Sequence, residues 1–304
     1  MTETTPYHIP VLLSQSIDGL AIKEDGTYVD VTFGGGGHSR EILRRLGPNG
    51  HLYAFDQDAE AQSNTLNDPR FTLIQQNFKY LRQYLRFYGV KQVDGILADF
   101  GVSSHQFDIA DRGFSTRFEG VLDMRMSQQE PLSAQNVINE YSEEKLTKIF
   151  FQYGELKNAK NIAKAIIAYR QQQPIKLSSS LQEALKPLLP KFKENKILAQ
   201  IYQAIRIEVN AEIEALESFL LQLPAVVKPG GRISLISYHS LEDRAVKRFI
   251  RDGQLHGAPE KDFYGNTSLP FKKIGGLILP DNNEITQNSR ARSAKLRIAE
   301  RTNS

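Results

Sequence analysis

Apolar residues along this chain follow two rhythms. Short runs rich in β-branched and aromatic residues, bounded by glycine or turn residues, occur at Tyr28–Phe33, His51–Phe55, Phe71–Gln75, Val93–Asp99 and Arg232–Ser237. Such runs read as buried strands. Before and between the first three lie helical stretches: residues 7–20, a helix with basic residues after the glycines at 34–37, and another from about Ala59. Strand–helix alternation at this pace predicts an α/β fold, a doubly wound, Rossmann-like parallel sheet that collects ligands at the carboxyl ends of its strands.

From about His105 to Lys196 the strand-like runs stop. Four helices are predicted there, at Ser133–Tyr141, Ser142–Tyr153, Asn158–Gln173 and Leu181–Leu189. The third carries Ile162, Ala165, Ile166 and Tyr169 at helical spacing, with Pro174 beyond its end. A single long helix is expected over Leu198–Leu221, its buried stripe made by Ile201, Ile205, Val209, Ile213, Leu216 and Leu220. Pro229-Gly230-Gly231 then turns the chain into the fifth strand. After a stretch rich in Gly, Pro and Lys, a last strand near Ser293–Ala299 places Ala294, Leu296 and Ile298 inward and Lys295 and Arg297 outward. The expected organisation is a discontinuous sheet domain, residues 1–104 and 197–304, with an all-helical insertion over 105–196.

Composition narrows the setting. No apolar run approaches the ~18 residues that a membrane span needs, and MTETTPYHIP lacks a basic-then-apolar signal pattern. A cytoplasmic protein with no membrane partner is therefore expected. The chain has no cysteine, which fits a reducing compartment and removes disulfides, thiolate metal sites and cysteine nucleophiles; no metal site is expected. A formal charge of +3 is too small to imply a nucleic-acid partner by itself, so the distribution of charge has to carry that question.

Candidate chemistry begins at Tyr28–Arg45, where a strand, four glycines and a helix amino terminus make a cradle for a nucleotide-like ligand; a plain tight turn is the competing reading. No Gly-Lys-Ser/Thr follows, so a P-loop is not expected. Asp30, in the first strand, suits a ligand with hydroxyls and a cation better than a pyrophosphate. S-adenosylmethionine is such a ligand. Ser39 is read as the cap of the following helix. Asp56 ends the second strand at the spacing from Gly34 expected of an acid that binds ribose hydroxyls, or of a helix N-cap. Phe78, after the third strand, suits an adenine edge or the core. Asp99 ends the fourth. Arg112, Arg117 and Arg125 sit in a glycine- and aromatic-bearing loop, either substrate-facing or a solvated connector. Gln203, Arg206 and Asn210 share a helix face, polar wall or solvent.

Eight ordered segments carry a family resemblance: DVTFGGGGHS (Asp30–Ser39), ADFGVSSHQFD (Ala98–Asp108), RGFS (Arg112–Ser115), LDMRM (Leu122–Met126), YGE (Tyr153–Glu155), QAIRIEVNAE (Gln203–Glu212), SYHSLEDRAVKRF (Ser237–Phe249) and SRARSAKLRIAER (Ser289–Arg301). Nearly end to end, the chain resembles the bacterial small-subunit rRNA methyltransferase family called RsmH or MraW. The resemblance implies S-adenosylmethionine as cofactor and 16S rRNA of the small subunit as partner, without DNA, and methylation of N4 of one decoding-centre cytosine. It implies cofactor contacts at Gly36, Gly37, His38, Asp56, Phe78, Asp99 and Gln106. Arg112, Arg206, Asn210, His239, Arg244, Arg290 and Arg292 are the candidate RNA contacts. Monomer and homodimer are both compatible with the sequence. Val31, His105, Tyr238 and Ser289 depart from the family pattern, and His105 stands where a proline would stiffen the loop of Gln106.

The residues also restrict the reaction. Methylation at C5 of a pyrimidine requires a covalent nucleophile, ordinarily a thiolate, and the chain has none. An exocyclic amine needs in-line positioning and at most a proton acceptor. Asp99 is the candidate catalytic residue, with Ser103, Ser104 and His239 as weaker ones. A nicotinamide-dependent dehydrogenase would share the glycine turn and Asp56 but needs a second mononucleotide half. A non-catalytic RNA-binding protein would explain the arginines but not four ligand-type residues at strand ends.

Overall fold

In the computed structural model, which describes residues 10–257 and 268–303, the β-branched runs pair into one seven-stranded sheet. Its strands are β1 (Thr27–Asp30), β2 (His51–Phe55), β3 (Phe71–Ile74), β4 (Val93–Asp99), β5 (Val227–Ser237), β6 (Phe271–Ile278) and β7 (Lys295–Arg301), in the spatial order β3-β2-β1-β4-β5-β7-β6. β1 to β5 are parallel, with Asp30 level with Ala54 of β2 and Leu97 of β4. Strand order reverses between β1 and β4, and the crevice outside their carboxyl ends is where such sheets bind ligands.

The central strands are covered on both faces, so they read as largely apolar runs. In β4 the buried Ile96 and Ala98 join one core with Val29, Leu81, Leu85, Phe219 and Phe249. Leu97, between them, joins the opposite core with Ile17, Leu20, Tyr28, Ile42 and Leu43. The helices that supply these side chains are α1 (Leu13–Leu20) and α2 (Gly37–Arg45) on one face, and α3 (Leu81–Phe87), with the helices that carry Phe219 and Phe249, on the other. Truncating a fully buried residue such as Ile96 to alanine would cost about 2–5 kcal/mol. Among the described residues, no helix is long and apolar enough to cross a membrane.

The chain divides into two compact units, residues 1–101 with 214–304 and Val102–Ile213. The second contains α4 (Ser104–Asp108), α5 (Ala134–Glu140), α6 (Glu143–Gln152), α7 (Ala159–Arg170), α8 (Ser178–Leu185) and α9 (Glu194–Asn210). Its core is mainly aliphatic, with Leu146, Ile162, Ile166, Leu181, Ile201 and Ile205 fully buried alongside Phe150. Because α9 packs here, the helical unit extends to residue 213 rather than ending at 196.

Four expectations are corrected. The helix expected over Leu198–Leu221 is two, α9 and α10 (Glu212–Val226), broken at Ala211, whose φ of 47° is left-handed. That conformation costs a non-glycine residue about 1–2 kcal/mol. It is held by Asn210, whose side chain donates to Met124 O and accepts from Met126 N, both at 2.7 Å. The sheet is not wholly parallel, since β7 runs antiparallel to β5 and β6 antiparallel to β7. β6 falls in a stretch whose composition reads as loop, because it is an edge strand with two glycines and only Phe271 buried. Ser39 does not cap α2, whose N-cap is Gly36. Residues 7–9 of the first expected helix lie outside the described residues.

Candidate active site

Three carboxylates stand at or just beyond the carboxyl ends of β1, β2 and β4. Asp30 is fully buried and accepts hydrogen bonds from Ser39 Oγ (2.7 Å) and Thr32 N (3.1 Å). It is a pin tying the first turn of α2 to β1. Beyond it the backbone keeps the ladder going, Val31 N donating to Leu97 O and Phe33 N to Phe55 O, both at 2.9 Å. The chain then turns through Gly34 and Gly36, with φ of 50° and 73°, angles that glycine alone adopts without cost. At Gly37 the requirement is space, because a Cβ would collide with the Pro10 ring.

Asp56 closes this turn from β2. Its two oxygens each accept one backbone N–H, from Gly34 and Asp58, at 2.8 Å. Asp58, not Asp56, caps the 3-10 turn at Ala59–Asn64, so the N-cap alternative for Asp56 falls away. Phe78 is half-buried and packs edge-on against Phe219 (5.5 Å between centroids) and Phe100 (6.0 Å), so one side of its ring belongs to the core.

Asp99 is held from two sides. Its backbone N–H donates to Thr32 Oγ1 and its Oδ1 accepts from the Tyr238 hydroxyl, both at 2.7 Å. The Nδ1 of buried His38 lies 4.0 Å from Oδ2, while His38 Nε2 is 3.1 Å from the carbonyl of Val11. That carbonyl makes Nε2 the protonated nitrogen. Burial holds His38 below its ordinary pKa, so it is neutral at pH 7. Burial pushes all three carboxyls up to about 6, and Asp30 raises the other two by like charge. Desolvation and the Asp99 carboxylate push the Tyr238 hydroxyl well above its usual range, so it remains a donor. In the sequence Tyr238 stands out only as a departure from a family pattern. Its position, one residue past β5 beside β4, is the signal that could have found it.

The MraW methylase family model matches residues 5–302. The chain belongs to that family. It is 66% identical over 96% of its length to the ribosomal RNA small subunit methyltransferase H of Christiangramia forsetii, covering 97% of that protein. The Flavobacterium johnsoniae protein of the same name is 64% identical, over 99% of this chain and all of that one. A solved rRNA methylase of Streptococcus thermophilus is 14% identical over 97% of this chain and 99% of that one, with a TM-score of 0.41, too loose a likeness to argue from.

S-adenosylmethionine is the cofactor of a methylase of this family, and the residues fit it. Its sulfonium and ammonium would relieve carboxylates that repel one another and are short of solvent. The residues that would hold it in the sheet unit are Gly36, Gly37, His38, Asp56, Phe78 and Asp99. Gln106 has a local structural role. Buried in the helical unit, its side chain accepts from Ser103 N (3.1 Å) and its backbone N–H reaches Ser103 Oγ (3.2 Å), closing a capping box on α4 that does the stiffening a proline would.

Several expected RNA contacts are also committed elsewhere. Arg112 is buried, donating to the carbonyls of Arg125 (3.0 Å) and Met126 (3.2 Å), whereas Arg117 in the same loop is exposed. Arg206 makes a two-pronged ion pair with Glu212 at 2.8 and 2.9 Å. Gln203 donates to Tyr153 O (2.9 Å), and with Asn210 the expected polar wall is a row of internal staples. His239 is the N-cap of α11 (Ser240–Asp252), in a capping box with Glu242. Arg244, Arg290 and Arg292 are exposed. The last two flank Ala291, whose burial anchors the turn before β7.

Proposed function

We propose that this protein transfers the methyl group of S-adenosylmethionine to the exocyclic N4 of a cytosine in the decoding region of 16S rRNA, acting on the small ribosomal subunit in the cytoplasm. The observation that carries the reaction type is Asp99, a half-buried carboxylate with one oxygen fixed by Tyr238 and the other, among the described residues, uncommitted to a hydrogen bond. The names of the relatives, small-subunit rRNA methyltransferases, support the substrate.

The cofactor supplies an electrophilic methyl on a sulfonium. Asp56 suits the ribose hydroxyls and Phe78 the adenine. The uncommitted oxygen of Asp99 accepts a hydrogen bond from an incoming exocyclic amine and offsets the positive charge that develops on nitrogen. No bond from the enzyme to the pyrimidine ring is needed, consistent with a chain without cysteine. Arg244, Arg290 and Arg292 contact phosphates, and the helical unit recognises the RNA.

Small-subunit particles lacking the modification, incubated with the protein and isotopically labelled cofactor, test this by mass spectrometry of their nucleosides. Label on N4 of cytidine is expected. Label on C5, on a ribose hydroxyl or on no nucleoside would refute it.

A further inference from the structure

The segment after Phe78 has a composition the active site does not use. Residues 79–91 contain Lys79, Arg82, Arg86 and Lys91 and not one Asp or Glu, with Tyr80, Tyr84, Phe87 and Tyr88 interleaved. Lys79, Tyr80, Arg82, Gln83, Arg86 and Gln222 line an open groove along α3. Residues 79, 82 and 86 follow steps of three and four, so their side chains form one stripe. Among the described residues none of the three cations has a carboxylate partner, and Lys79 only overlies the Tyr80 ring at 5.0 Å.

This arrangement is built rather than accidental. Gln222 of α10 bolts the turn at the head of α3: its Nε2 donates to Lys79 O (2.9 Å) and its Oε1 accepts from Arg82 N (2.8 Å). The backbone that presents the stripe is thus fixed before any partner arrives, which lowers the ordering cost of binding. Beside the stripe, Phe87 is 80% exposed, and Tyr80 and Tyr88 are each 42% exposed. Leaving a phenylalanine so open costs solubility and contributes nothing to the core. A row of unpaired cations selects a polyanion, and open aromatic faces beside it suit unstacked bases.

We propose that the α3 groove is a second RNA-binding surface, apart from the carboxylate site, that takes a single-stranded or looped segment of rRNA, with phosphates along Lys79, Arg82 and Arg86 and a base on Phe87. The proposal rests on the rRNA reading above. It places RNA on the sheet unit itself, on the helix that follows the aromatic residue expected at the adenine.

The test compares wild type, R82A/R86A and F87A for binding to a labelled small-subunit rRNA fragment and to a fully paired duplex over a range of salt, with cofactor affinity measured alongside. R82A/R86A should lower the slope of log affinity against log salt by roughly two, one for each phosphate no longer neutralised. F87A should weaken the single-stranded ligand about tenfold while sparing the duplex. Both variants should keep wild-type cofactor affinity. If wild type binds RNA and both variants match it in slope and affinity, the groove is not an RNA surface, although the proposed function stands. If wild type binds no rRNA at all, both fail. Loss of binding to anionic lipid vesicles without loss of RNA binding would assign the groove to a membrane surface and overturn the proposal.

Discussion

The two units of this protein bury polar groups at different electrostatic cost. In the helical unit, buried or half-buried polar side chains hold backbone: Asn210 at Met124 and Met126, Arg112 at Arg125 and Met126, and Asn139, which donates to Ile175 O (2.8 Å) and accepts from Ile175 N (2.9 Å). The two asparagine staples are paired on both sides of the amide, so their burial is stabilising. In the sheet unit, Asp30, Asp56 and Asp99 are crowded together at strand ends and held well above the ordinary carboxylate range. Such burial costs stability and is retained where a ligand relieves it. In the helical unit polar burial is architecture; in the sheet unit Asp30 and Asp56 fasten backbone and side chains too, and the crowding of three carboxylates adds readiness for a cation.

Substitutions that exchange the two behaviours separate them. The largest effect is expected of Asp99→Asn, which preserves shape but removes charge: the methyl-transfer rate should fall about 10²–10³-fold, with the melting temperature unchanged or raised. Single-turnover kinetics beside a thermal scan check this; an equal fall in cofactor affinity would reduce Asp99 to a binding role. Asn210→Ala should do the reverse, lowering stability by about 3 kcal/mol through two missing hydrogen bonds and the backbone groups left unpaired, while cofactor affinity holds. Denaturant unfolding gives the number.

A pH titration sharpens the contrast without mutation. Because the folded-state pKa of Asp30 is raised to about 6, the cofactor-free protein is favoured when this group is protonated, and stability drops as pH rises from about 4 through 6, by up to about 3 kcal/mol for this residue. Affinity for the cationic cofactor should move the other way, strengthening over the same window as the carboxylates ionise. Stability that rises with pH there would contradict the electrostatic account. Asp56→Ala should weaken cofactor binding by about 1.5–3 kcal/mol, the value of hydrogen bonds to a charged acceptor, as read by calorimetry. The smallest effect is expected of Tyr238→Phe: removing one donor from Asp99 should raise the pH midpoint of the rate and cost no more than about 1 kcal/mol of stability, whereas a purely structural tyrosine would leave the midpoint in place.

What can be read in the sequence follows the same divide. β2 and β4 have the bounds expected of them because strands buried on both faces are mostly apolar and end at a carboxylate. The break at Ala211 leaves no sign, since the apolar stripe of Ile205, Val209, Ile213 and Leu216 stays in phase across it and the cause, Asn210 reaching Met124, lies 86 residues away. The structural roles of Gln106, Arg112 and Arg206 are hidden in the sequence for one reason. A polar residue inside a motif looks like a ligand contact until its partner is seen, and those partners are backbone carbonyls, a cap and Glu212, which no spacing reveals. β6 hides because an edge strand with one buried residue carries almost no period.

The order of the chain has a consequence for how the protein is made. β4 is complete at Asp99, but its parallel neighbour β5 begins only at Val227. At synthesis rates of about 5–20 residues per second, the intervening stretch of roughly 130 residues leaves one side of β4 without its neighbour for about 6–26 seconds. The helices of residues 102–213 rely on contacts nearer in sequence, and such structure forms in far less time. On the ribosome, then, the inserted unit is expected to be finished while its host still waits for the second half of its sheet.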